Sequence, residues 1–297
     1  MIYFHIMSVP RLLRHIGSVA VLLAGAWIAW TQSQGPATPS KVNRIADDLY
    51  ELETAGGGLT SNGGNVAIYI TNEGVILVDD KFDANFPDIM NSVKSLTDRP
   101  VKYVISTHHH GDHTGSHAKF LAQNAEIIAQ RNNRANMEKG KMPGLPQITF
   151  TDEAEVHLGG KEVRTHYYGR GHTNGDAVVY FPALKVVHTG DLFVSSAPLV
   201  DYNNGGSILE WPRTLDGVLA IDFETAIPGH GPIMKKEDLR KFREKLVTMQ
   251  TRVSGLAHGG SSDEEITKAL ASDFGFQPNT PQVRFMPNII AEIKAGK

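Results

Sequence analysis

One short stretch narrows the possible folds of this chain more than any other: Ser106-Thr107-His108-His109-His110-Gly111-Asp112-His113-Thr114-Gly115. It directly follows Val101–Ser106, a β-branched run with one aromatic residue that reads as a buried strand. Polar residues just past a strand lie on a loop held by a sheet, where sites on such scaffolds concentrate. In an extended segment, residues two apart project to the same side. His108 and His110 can therefore share one cation while His109 points away. Gly111 permits a sharp turn, after which Asp112 and His113 face back toward a second cation. The 297 residues include no cysteine. Disulfides, thiolate metal sites and thiol catalysis are thus excluded, and a metal must be held by nitrogen and oxygen. Neutral imidazole and carboxylate are good zinc ligands. The bland alternative is a solvated run of surface histidines, which this spacing disfavours.

One loop cannot fill two metal shells. Three other segments have a similar setting. Gly169-Arg170-Gly171-His172-Thr173-Asn174-Gly175-Asp176 puts a histidine on a glycine-rich turn before a strand. Val187-His188-Thr189-Gly190-Asp191 puts a carboxylate at a strand's end, and Ile227-Pro228-Gly229-His230-Gly231 puts a histidine after another. Singly, each reads as a turn residue; together they supply the number of ligands needed.

The surrounding pattern is that of a layered α/β chain. Strands are expected over residues 66–70, 75–79, 101–106, 126–129, 161–166, 177–181, 185–188 and 225–227. Residues 71–74, Thr-Asn-Glu-Gly, make a hairpin turn between the first two. Helical spacing of apolar residues marks 86–96, 207–221 and 235–253. A further helix begins over 117–122. Pro212 fits only in a first turn, Gly255 is a candidate cap for the longest helix, and Ser262-Asp263-Glu264-Glu265 is a capping box for the next. Strands then helices, twice over, predict two central sheets with helices outside.

Residues 41–297 read as one domain. Ahead of them, residues 1–31 carry Arg11, Arg14 and His15 before an apolar run from Ile16 to Trp30, and residues 32–40 form a polar, Pro-containing linker. A basic flank and short apolar core predict a secretory signal, with an uncleaved membrane anchor as the alternative. The folded part is expected to be exported, periplasmic or secreted. The formal net charge of −3 argues against a nucleic-acid partner and leaves a small-molecule substrate as the expected one.

In its order of residues, His108-x-His110-x-Asp112-His113 followed by His172, Asp191 and His230, the chain resembles the metallo-β-lactamase superfamily, over about residues 66–232. The resemblance implies an αββα sandwich with the site at the edge of two packed sheets. It implies that His108, His110 and His172 hold a first Zn2+, that Asp112, His113 and His230 hold a second, and that Asp191 bridges both. It makes Asp79 the carboxylate bracing the metal loop, with Asp80 competing for that role. His188 reads as a strand residue supporting the site, and Asp176 as a tie for its own turn. Two such ions acidify a shared water toward neutrality, and Asp112 is the catalytic residue expected to orient it and take its proton. The implied reaction is hydrolysis of an ester, thioester, amide or related bond. Asp191 favours the glyoxalase II-like hydrolase branch, since lactamases of the family usually carry Cys or Ser there. A β-lactamase is the alternative, supported by the expected export and by the first motif's likeness to one lactamase subclass. A non-catalytic periplasmic zinc-binding protein and a di-iron redox protein are the rivals of other classes. Residues 195–207, including Tyr202 and Asn203, are a candidate substrate loop or an ordinary connection; residues 137–146 are a flap or a loop.

Overall fold

Short strands, fully buried in β3, β4 and β11 and largely exposed at the sheet edges, make two sheets, and their alternation of side chains decides what each face touches. The computed structural model describes residues 39–54, 63–276 and 281–296; the expected leader or anchor over 1–31 and nearly all of the linker lie outside them. The first sheet is β1 (Lys41–Ala46), β2 (Leu49–Glu53), β3 (Val66–Ile70), β4 (Val75–Val78), β5 (Val101–Ser106), β6 (Glu126–Gln130) and β7 (Ile148–Phe150), adjacent in chain order. It is antiparallel from β1 to β4 and parallel from β4 to β7. The second holds β8 (Glu153–Leu158), β9 (Lys161–His166), β10 (Val178–Phe181), β11 (Val186–Gly190), β12 (Thr225–Pro228) and β13 (Met234–Lys235); only β11 and β12 pair in parallel. The helices are α1 (Phe86–Leu96), α2 (Gly111–Thr114), α3 (His117–Ala122), α4 (Arg131–Lys139), α5 (Trp211–Ala220), α6 (Lys236–His258), α7 (Asp263–Phe274), α8 (Pro281–Arg284) and α9 (Met286–Ala295).

Period-two alternation sorts β3 cleanly. Ala67 and Tyr69 face inward, where they join Val78 and Ile105 against Val179, Phe181 and Ile227 of the second sheet. Val66 and Ile68 face outward and pack with Ile89, Val93 and Phe120 of α1 and α3. On the far side, Val178, Val187 and Ala226 meet Trp211, Leu215, Leu239, Leu246 and Ile289 of α5, α6 and α9. The result is helix, sheet, sheet, helix, the expected αββα order. Each such aliphatic side chain contributes about 1.5–3 kcal/mol when fully buried.

The expectations differ from the structure in instructive places. Helix α6 runs past Gly255, which does not cap it; the helix ends at Gly259. An added Cβ at Gly255 would meet nothing within 4 Å, so this glycine sits on an open face. Helix α5 starts only at Trp211, with Pro212 in its first turn. The capping box is present: Ser262 N donates to Glu265 Oε2 at 2.8 Å and Glu265 N to Ser262 Oγ at 3.3 Å. Strands β1 and β2 carry Asn43, Glu51 and Glu53, and that polarity hides them from an apolar pattern. Residues 137–146 begin inside α4 and are tied back by Arg134, whose guanidinium donates to the Pro146 carbonyl. No described helix is long and apolar enough to cross a membrane.

Candidate metal centre

Parallel strands deliver their carboxyl ends to one edge of a sheet, where ligands collect. Here Asp79 directly follows β4, the histidine loop follows β5, Asp191 follows β11 and the His230 turn follows β12. His172 comes from the connection between β9 and β10. The structure brings His108, His110, Asp112, His113, His172, Asp191 and His230 together. His108 Nε2 and His172 Nε2 lie 3.1 and 2.9 Å from His110 Nδ1. His113 Nε2 lies 3.3 Å from His230 Nε2, and Asp112 Oδ2 is 3.2 Å from His230 Nε2 and 3.6 Å from His113 Nε2. Asp191 spans the two groups. Its Oδ1 is 3.4 Å from His113 Nε2 and 3.5 Å from His230 Nε2, and its Oδ2 is 3.6 Å from His172 Nε2.

What stands behind each ring decides which nitrogen faces inward as a lone pair. His172 Nδ1–H donates to the Leu199 carbonyl at 2.6 Å, so its Nε2 is the acceptor. His110 Nε2–H donates to Asp201 Oδ2 at 2.9 Å, so its Nδ1 is the acceptor. Thr107 Oγ1 donates to Asp79 Oδ2 at 2.7 Å and thus accepts from His108 Nδ1–H at 3.1 Å, leaving His108 Nε2 as a lone pair. Three lone pairs converge: those of His108 and His172 each lie about one hydrogen-bond length from that of His110, and all three fall within 4.8 Å of one another. They repel one another, and a shared cation resolves that repulsion. The donor set therefore fits a metal ion. The second group is braced by Asp79, whose Oδ2 accepts from His113 Nδ1–H at 2.8 Å while Oδ1 accepts from Thr107 N at 2.7 Å. His230 Nδ1 and Asp191 Oδ1 have no hydrogen-bond partner among the described residues.

The titration behaviour follows from burial and from three carboxylates in one place. Burial pushes His108 well below its ordinary range and His172 down to about 4. For His113 burial is outweighed by the charges of Asp112, Asp191 and Asp79, and its pKa rises well above the usual value. Burial likewise opposes ionisation of Asp112 and Asp191, but His113 and His230 hold both below the carboxylate range. A site this negative takes protons where it takes no cation, so metal binding there releases protons. Asp112 and His110 keep 22% and 28% of their side chains exposed, against 0–5% for His113, His172, His230 and Asp191. The open side of the centre is theirs.

The supporting residues sort themselves by contact. Asp80 accepts from Ser116 N at 3.0 Å and lies 3.8 Å from His117, away from the metal groups. His188 Nε2–H donates to the Asn65 carbonyl at 3.2 Å and its Nδ1 accepts from Gly190 N at 3.2 Å, joining the two sheets behind Asp191. Asp176 accepts from Thr173 N at 2.8 Å, within its own turn. Tyr202 and Asn203 are not brought to the cluster by their polar contacts: the Tyr202 hydroxyl donates to Glu292 Oε2 at 2.8 Å, and the exposed Asn203 gives its carbonyl to Lys139 at 2.8 Å. Two residues in contact with the site have roles that the sequence does not single out. Asp201, one position before Tyr202, is the partner of His110. Asn65 Nδ2 donates to the carbonyls of Pro228 and Gly231 at 3.0 and 2.8 Å, and so fixes the turn bearing His230. The sequence signal for Asp201 was its place in a polar loop after Asp191; Asn65 carried none. Two glycines are required by space. A Cβ at Gly64 would come 2.2 Å from His113 Cε1, and one at Gly229 would come 1.9 Å from Asp191 Oδ1.

Comparisons with known proteins point to one family. The model of the metallo-beta-lactamase superfamily matches residues 59–230. The metallo-beta-lactamase IND-1 of Chryseobacterium indologenes is 27% identical, over 63% of this chain and 80% of that protein. A type 2 metallo-beta-lactamase of Bacteroides fragilis is 28% identical, over 64% of this chain and 78% of its own. The solved structure of a metallo-beta-lactamase from Pontibacter korlensis superimposes with a TM-score of 0.63 at 20% identity, covering 70% of this chain and 98% of that one.

Proposed function

The chain belongs to the metallo-beta-lactamase superfamily and is a metallo-hydrolase, and from that premise we propose that it holds two zinc ions and hydrolyses an ester, thioester, amide or related bond of a small molecule. The observation that carries the reading is the Asp191 carboxylate, one oxygen toward His113 and His230 and the other toward His172. His108, His110 and His172 would hold one ion, Asp112, His113 and His230 the other, with Asp191 shared. When bound, the zinc pair supplies an acidified water and a Lewis acid for the substrate oxygen. The chain's own part is to position and to move a proton. Asp112, partly open to solvent, is the carboxylate placed to accept that proton and pass it to the leaving group. Asp79, Asp201 and the Leu199 carbonyl keep His113, His110 and His172 in the tautomers that ligation requires. Residues 1–31 would serve export or membrane attachment.

A second reading, cleavage of a β-lactam, is favoured by the names of the similar proteins. Rates on a glutathione thioester and on nitrocefin, measured on zinc-loaded protein, separate the two. A thioester rate well above the nitrocefin rate supports the general hydrolase, and the reverse supports the lactamase. A pure zinc carrier is disfavoured because the ligands are spread from His108 to His230 and need a folded scaffold, and because His108, His110, His113 and His172 are oriented by partners behind them, which transfer of the ion would not need. Zinc content with turnover on neither substrate class would revive it, and iron content would favour the redox reading.

A further inference from the structure

Helix α9 lies beyond the residues matched to the family, yet one of its side chains is joined to the loop behind the first metal group. Glu292 Oε2 accepts from the Tyr202 hydroxyl at 2.8 Å and from Ile208 N at 2.9 Å, and its Oε1 accepts from Ser207 Oγ. Three donors from one loop thus meet one carboxylate more than eighty residues away in sequence. The loop they close is the one that carries Asp201. Asp201 Oδ1 accepts from the amides of Asn203 and Asn204, its carbonyl accepts from Gly206 N at 2.9 Å, and its Oδ2 accepts from His110 Nε2–H. The same loop is bonded to the His172 segment: Asp201 N donates to the His172 carbonyl at 2.8 Å, and Ser207 N to the Gly171 carbonyl at 2.9 Å. Two of the three first-group histidines therefore rest on a loop whose far side is held by Glu292. Helix α9 itself is anchored by buried Met286, Ile289, Ile290 and Ile293.

We propose that Glu292 is a positioning residue for the first metal site, acting through residues 201–208 on His110 and His172, so that the C-terminal helix is a working part of the centre. A charge-assisted acceptor is roughly twice as strong as a neutral one, and the partners that orient metal-bound histidines typically matter 10–100-fold in metal affinity. The inference rests on the reading of these histidines as metal ligands. The test uses the full chain, titrated with cobalt(II) chloride, with the absorption spectrum and the affinity of the first ion as readouts. Glu292→Gln is expected to weaken the first ion by about 10-fold and to change its spectrum. Asp201→Asn should do likewise, and the double variant should be no worse than the stronger single one, because both act along one route. Amide exchange of residues 201–208 should also quicken in metal-free Glu292→Gln. Tyr202→Phe and Ser207→Ala each remove one donor, so they give a graded version should Glu292→Gln fail to fold. Ile290→Val loosens the same helix by packing alone, and should lower thermal stability with an unchanged cobalt spectrum. A Glu292→Gln protein that melts earlier but keeps the wild-type spectrum and affinity overturns the proposal, as does additivity with Asp201→Asn. A wild-type chain that binds no cobalt at all overturns the metal-centre reading itself, which is a different outcome.

Discussion

The two halves of the metal centre are built to different standards. In the first, His108, His110 and His172 each have their outer nitrogen engaged, by Thr107, Asp201 and Leu199. In the second, among the described residues, only His113 is so held, by Asp79, while His230 Nδ1 finds no partner there and Asp112 is partly open to solvent. Pre-oriented rings lose less freedom on binding, so the first group should bind its ion more tightly. On the proposed two-ion reading, the second, being looser, would be the half able to rearrange around a substrate. The difference teaches that the ligand list alone does not rank two sites; the layer behind it does.

Asp191→Ala breaks the comparison most severely, because it removes the group common to both halves. Hydrolysis should fall by at least about 100-fold, beyond what supporting residues typically cost, and zinc analysis should find the second ion lost. Unchanged metal content and rate would refute the shared carboxylate. Asp79→Asn and Asp201→Asn sharpen the contrast at the next level. Each should weaken one ion by about 10–100-fold, Asp79→Asn the second and Asp201→Asn the first, as read by competition with a chelator. Both variants weakening the same ion would show that the halves are not separately supported.

A smaller effect concerns stability rather than metal. His188 is buried, and burial lowers its pKa to about 4 from an unfolded value near 6.5. A depressed folded pKa means that the unfolded chain takes the proton first. The contribution is therefore fully present above about pH 6.5 and is lost as pH falls toward 4. Urea unfolding of the metal-free protein should weaken across that window, and His188→Leu should flatten this part of the slope. The same variant strands the Asn65 carbonyl and Gly190 N, at about 1–3 kcal/mol each. An unaltered slope would mean that His188 does not titrate with unfolding. Smallest of all is Asn203→Ala. This exposed residue should shift stability by no more than about 0.5 kcal/mol and leave both ions in place; any change should appear in KM for the substrate.

The legible and illegible parts of the chain differ for physical reasons. Helix α1 and strands β3 and β5 could be read to the residue, because apolar side chains recur there at the period of the element and are buried on it. The seven ligand candidates could be found because ligation demands particular residue types at strand ends. Strands β1 and β2 could not, since Asn43 and Glu51 interrupt the pattern while bonding to each other at 3.1 Å. Gly255 does not mark the end of α6, because glycine is tolerated on an open helix face as well as at a cap. The roles of Asp201, Asn65 and Glu292 are not legible in the sequence, although Asp201 falls in the polar loop 195–207, because their partners are 91, 163 and 90 residues away, and a side chain that acts across the fold leaves no local periodicity.

The most direct test of the account is a zinc titration of the metal-free protein against a chromophoric chelator, with the hydrolytic rate followed at each addition. The account predicts two ions per chain, the first bound more tightly, with full activity only when the second is in place. A single ion per chain, or two of equal affinity with activity complete after the first, would contradict it.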